Sequence, residues 1–121
     1  MNRNLNMLSR FLPVIILGIL FIPKQAVRAQ SGDPADSLHH LLNMANEDSL
    51  RCRIMLELAN TYKYGDTLEA LYFLGQAEEL AASLDELSYL GRNHEIRGEM
   101  LAHSGQYDRA ILAYDRALSY Y

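Results

Sequence analysis

Residues 103–121 read HSGQYDRAILAYDRALSYY. Tyr107, Ala110, Ile111, Tyr114, Ala117, Leu118 and Tyr121 follow one another at three- or four-residue steps, the spacing of one helix face. An earlier stretch, residues 63–81, reads KYGDTLEALYFLGQAEELA and carries the same pattern. A shift of 40 positions puts Gly65 on Gly105, Ala70 on Ala110, Leu71 on Ile111, Leu74 on Tyr114 and Ala77 on Ala117. A fixed period in this range marks stacked helical units. Each unit predicts a helix, a glycine turn and a second helix with two alanines seven apart. Antiparallel helices approach closely only where one side of the contact is small, so the alanines admit the partner helix. Leu74 and Tyr114 then fill the space between those close contacts.

Working outward, the chain predicts five helices and shows no strand-like alternation. Asp33 is an expected N-cap with Pro34 at the first helical position, and Leu38, Leu41, Leu42 and Ala45 form one apolar stripe. Asp48 is the next expected cap. The helix behind it carries Leu50, Ile54, Leu58 and Tyr62 on one side and Cys52, Met55, Leu56 and Ala59 on another, which predicts a helix sandwiched between neighbours. Gly65 is expected to close it in a left-handed conformation. Asp66, with Glu69 three residues on, reads as a capping box opening a helix that buries Leu71, Leu74, Ala77 and Leu80 or Ala81. A fourth helix is expected from Asp85 to about His103, closed by Gly105.

The two units resemble the tetratricopeptide repeat family. The first offers Leu58, Ala59, Tyr62, Gly65, Ala70, Leu74 and Ala77; the second offers Gly98, Leu101, Gly105, Tyr107, Ala110, Tyr114 and Ala117. The repeat here is longer than the family's usual ~34 residues, and Leu101 stands where an aromatic is usual. The resemblance implies an all-α antiparallel helix-hairpin solenoid of about two repeats. The expected organisation is a signal peptide over 1–29, a capping helix over 30–47, one repeat over 48–84 and a second over 85–121.

The signal peptide is read from residues 1–29. Arg3 and Arg10 precede thirteen uncharged, mostly apolar residues from Phe11 to Pro23, and Val27 and Ala29 supply a small-residue cleavage site. The apolar run falls short of the ~20 residues a membrane helix needs, so cleavage after Ala29 and an exported, periplasmic or envelope location are expected, with no membrane association after cleavage. Retention as an N-terminal anchor is the other reading. Four of the eleven basic residues and none of the fifteen acids precede Gln30, which leaves seven bases, fifteen acids and a net charge of −8. Such a surface repels phosphate backbones, and no nucleic-acid partner is expected.

Little in the chain suggests chemistry. His39 and His40 are adjacent and diverge on a helix, and His94 and His103 are nine apart, so no metal site is expected. No serine sits in a nucleophile elbow and no glycine-rich phosphate loop occurs, so neither catalysis nor a cofactor is expected. The single cysteine, Cys52, reads as a buried apolar residue. Asp-Ser-Leu at 36–38 and 48–50 and Asp-Thr-Leu at 66–68 resemble a bacterial envelope O-glycosylation signal, although each also sits where a helix begins.

Function therefore points to binding. In the family, the first helix of each unit lines a concave face. The resemblance places Arg53, Asn60, Lys63 and Tyr64 of the first unit there, with Arg92, Glu95, Glu99 and His103 of the second. Mixed charge beside an aromatic suits an extended peptide or a partner helix. The family's carboxylate clamp needs a lysine one turn before Asn60, where this chain has Leu56. The expectation is an exported, non-catalytic interaction module for a protein or peptide partner. The alternative is the sensory input segment of an envelope signal-transduction protein. The apolar last helix suggests either continuation into a longer protein or self-association through that helix.

Overall fold

The computed structural model describes residues 33–121. The expected signal peptide, 1–29, and the start of the capping-helix segment at 30–32 lie outside the described residues. Within them the chain is all-helical, with helices α1 (Pro34–Met44), α2 (Asp48–Tyr62), α3 (Thr67–Leu84), α4 (Leu87–His103) and α5 (Tyr107–Ser119), and no strand occurs among them. Sequential helices pack pairwise: α2 against α3 and α4 against α5 most extensively, with α1 on α2, and α4 resting on both α3 and α2.

Close packing within the hairpins comes from the small residues. Ala70, Ala77, Ala110 and Ala117 are all buried, as is Leu74. Leu71 is exposed, contrary to the expectation that it is buried, and so is Ile111, its counterpart under the 40-residue shift. The buried stripe on α3 runs instead through Ala70, Phe73, Leu74, Ala77 and Ala81. The helix is flanked by α2 and α4, and Leu71 faces neither fully. Leu41 on α1 likewise faces solvent, while Ala35 is buried and Leu38, Leu42 and Ala45 pack on the core. On α5 only Ala110 and Ala117 are buried, and Leu118 stands exposed.

The core is built around α2, whose Cys52, Ile54, Met55, Leu56, Leu58 and Ala59 are buried on more than one side. Full burial of Leu58, Leu74 and Ile96 contributes ~1.5–3 kcal/mol each. The Cys52 thiol donates to the Ala77 carbonyl at 3.4 Å. Burial first, and the Glu86 carboxylate second, push its pKa up to about 11.

The helix ends account for the remaining differences. Asp48 is the first residue of α2 and Glu47 its N-cap, with no side-chain cap bond; Asp48 contributes as an acid in the first turn, against the helix dipole. Asp66 does cap α3, its Oδ1 accepting the Glu69 N–H at 3.1 Å. Gly65 is not left-handed; Asp85 and Gly105 are, at φ 56° and 80°. Asp85 therefore closes α3 and does not open α4. Glu86 N–H bonds the Ala81 carbonyl and Asp85 N–H that of Ala82; Gln106 and Gly105 bond Leu101 and Ala102 in the same way. This Schellman arrangement satisfies the last carbonyls of both helices. At α1 the same need is met from outside: the Arg51 guanidinium donates to the Leu42 and Ala45 carbonyls at 3.0 and 3.3 Å.

Two features join the hairpins. Asn93 on α4, fully buried, donates to the Leu74 carbonyl on α3 at 2.7 Å and accepts from Arg97 Nε at 2.9 Å. Arg97 in turn donates to Glu78 on α3 at 3.1 Å. The second feature, along α2 and α4, belongs to the candidate site.

Candidate functional site

Helices α2 and α4 run side by side, and residues of α2 and of the turn that follows it pair with α4 in rising order: Asn60 with Arg92, Lys63 with Glu99, Tyr64 with His103. The two helices are therefore parallel along this face. On α4, Arg92, Glu95, Glu99 and His103 recur at three- and four-residue steps and occupy one stripe.

Asn60 is the hub. Its Oδ1 accepts from Lys63 Nζ at 2.9 Å and from Arg92 at 3.1 Å. Lys63 forms an ion pair with Glu99, and Arg92 lies 3.3 Å from Glu95 and 3.5 Å from Glu99. Two cations meet two carboxylates, so the cluster is close to neutral. Its members are held in place by several partners each, in a half-buried setting where charge-assisted bonds are stronger than at a free surface. The Lys63 ammonium also sits 4.9 Å from the centre of the Tyr64 ring. Tyr64 lies against His103 with ring centres 4.3 Å apart, and both residues are exposed. The result is a rigid polar strip ending in an open aromatic platform.

Of the eight residues placed on this face, seven converge. Arg53 does not: it stands exposed on α2 two turns before Asn60, outside the cluster. Leu56, at the position of the clamp lysine, is buried in the core. One contributor comes from beyond the expected set. Tyr121 donates from its hydroxyl to Glu95 at 3.3 Å, and burial, then Glu95, raises its pKa. The signal was available: Tyr114 and Tyr121 are seven apart, like Gly91 and Gly98, and both rings lie over those glycines.

The opposite side of α4 carries groups that helix periodicity did not single out. His94 lies roughly 200° round the helix from Arg92, and Arg97 roughly 200° from Glu95. The His94 side chain is 7% exposed and lies 3.7 Å from Glu78 Oε1. Its Nε2 is buried without a hydrogen-bond partner, and its ring stacks on Tyr120 with centres 5.7 Å apart. Burial first lowers its pKa, opposed by Glu78 and assisted by Arg116 and Arg97. His39 contacts Tyr62, with Nε2 2.9 Å from the hydroxyl, and serves packing of α1. Among the described residues no group of three or more His, Cys, Asp or Glu could hold a metal ion, and no helix is long and apolar enough to cross a membrane.

No protein-family model, curated protein or solved structure matches the chain.

Proposed function

We propose that the chain is an exported, non-catalytic interaction module of the tetratricopeptide repeat type, which docks a peptide or a partner's surface along the α2–α4 face. The observation that carries this reading is the convergence of Asn60, Lys63, Arg92, Glu95 and Glu99 into one mutually paired strip that runs into the exposed Tyr64–His103 platform. In this reading the face is the concave side of a short helical stack.

The pairing suits docking. Side chains already fixed by neighbours lose little entropy when a ligand arrives. The strip carries both donors (Lys63, Arg92) and acceptors (Asn60, Glu95, Glu99), which suit the N–H and C=O groups of an extended backbone. The Tyr64 and His103 rings offer apolar area for one side chain. Export follows from the signal peptide read over residues 1–29, and the mature chain then begins at Gln30.

A displayed random-peptide library selected on the protein tests the proposal. Enriched peptides should lose binding to Tyr64→Ala and Arg92→Glu and keep it for Leu118→Ser, an exposed residue of α5 that takes no part in the paired strip. Enriched peptides indifferent to Tyr64 and Arg92, or no enrichment at all, would contradict it.

A further inference from the structure

A second groove lies on the other side of α4. It has a volume of about 770 Å³, with α3 and α5 as walls and α4 as floor. Leu71 on one wall and Leu112 on the other are both exposed apolar residues. Arg97, Arg109 and Arg116 also line it, and they are three of the seven Lys and Arg residues that follow Gln30. The single acid among the lining residues is Glu78, already bonded to Arg97. Arg109 donates to the neutral Gln106, and neither Arg109 nor Arg116 forms an ion pair among the described residues. An acidic chain thus concentrates unpaired positive charge in one apolar-walled groove. The floor adds an independent feature. The nearly buried His94 side chain lines it, and its Nε2 has no hydrogen-bond partner.

We infer that this groove is a second docking site, for an acidic amphipathic helix of a partner protein. The spacing sets the ligand's pattern. Arg109 and Arg116 are seven residues apart on α5, so their Cα atoms are separated by about 10 Å along the axis, with Leu112 and Ala113 between them. A helix laid along α5 with carboxylates seven apart and apolar residues between meets an arginine, an apolar step and an arginine in turn. The site is separate from the α2–α4 strip, because His94, Arg97 and Leu101 project from the opposite side of α4 from Arg92, Glu95 and Glu99.

The test uses the full chain and a capped, fluorescently labelled, alanine-rich helical peptide of roughly 18 residues. The peptide carries two glutamates seven apart, with leucines three and four residues after the first. Two other probes accompany it: the same peptide with lysine for glutamate, and anionic phospholipid vesicles. The glutamate peptide should bind saturably, more weakly as salt rises, and the lysine peptide should not bind. The double variant R109E/R116E should weaken binding about tenfold or more with unchanged helical circular dichroism. Leu112→Ser should weaken it independently, and Tyr64→Ala should leave it unchanged, which keeps this result distinct from failure of the α2–α4 reading. Absence of saturable binding, equal binding by the lysine peptide, or equal binding to both variants overturns the inference. So does Arg109- and Arg116-dependent binding of vesicles without binding of the peptide.

Discussion

The Tyr114 ring lies over Gly98, where an added Cβ would fall 2.8 Å from two of its carbons. One heptad along, Tyr121 covers Gly91 at the same 2.8 Å. The pairs run in opposite chain directions, as antiparallel helices require. At the positions 40 residues earlier, in the first hairpin, Leu58 on α2 and Leu74 on α3 are both fully buried. The second hairpin thus fills a similar volume with a larger ring on α5 and a bare backbone on α4.

That difference predicts opposite signs for two glycine-to-alanine changes. Gly75 lies inside α3, and a Cβ there meets nothing within 4 Å. Gly75→Ala should stabilise the protein by about 0.5–1 kcal/mol through helix propensity. Gly98→Ala makes the same propensity gain but must displace the Tyr114 ring, and overpacking costs about 1–3 kcal/mol. Thermal unfolding should show a rise of several degrees for the first variant and a fall for the second. A rise for Gly98→Ala would mean that the ring is not seated on the glycine.

Asn93 joins the hairpins by bonding the Leu74 carbonyl and Arg97 from a fully buried position. Asn93→Ala should cost about 1–3 kcal/mol, the usual range for losing buried hydrogen bonds. Amide exchange should reveal where: protection should fall first at the α3–α4 contact, while α2–α3 keeps more of its own. Uniform loss of protection would show that the hairpins do not open separately.

The alanine pairs and the five helices are legible from periodicity, since each alanine sits in a run of apolar residues at helical spacing. Leu41 and Leu71 are not, because an apolar residue at the edge of a stripe is buried only if a neighbouring helix reaches it, and helix spacing is not written in the local pattern. Asp85 reads as the start of a helix but closes one, because aspartate serves both as a cap and, less often, as a left-handed residue at a helix end. The strip residues were placed on one face by their positions in α2 and α4. Their mutual pairing depends on the distance between two helices, which no local signal carries. Asn93 and His94 were missed for the opposite reason: polar residues at interior positions look like solvent-facing ones until α3 and α5 are laid over them.

His94 makes stability depend on pH. Its folded-state pKa is lowered, chiefly by burial, so the unfolded chain binds a proton more readily. The stability it contributes is fully present above the ordinary histidine value of about 6.5 and is lost as pH falls below that toward its lower folded value. Denaturant midpoints for the wild type should therefore drop as pH falls from 7 through 6, and His94→Gln should flatten part of that slope. An equal slope in the variant would assign the effect to other groups.

Lys63 and Glu99 are mostly shielded by their surroundings, with side chains 17% and 23% exposed. A double-mutant cycle with Lys63→Met and Glu99→Gln should give a coupling of about 1 kcal/mol, at the upper end for accessible pairs. Arg92 limits the cost of losing Lys63, because it remains near Glu99. Added salt should reduce the coupling only partly. A coupling of zero would leave the strip without the rigidity on which docking relies.

The docking claim is tested most directly by placing a photo-crosslinking amino acid at Tyr64, and in parallel at Leu118, in the protein expressed in its own host. The account predicts a discrete polypeptide adduct from position 64 that a Glu95→Lys change diminishes, and little from position 118. Adducts of equal yield from both positions, or none from position 64, would contradict it.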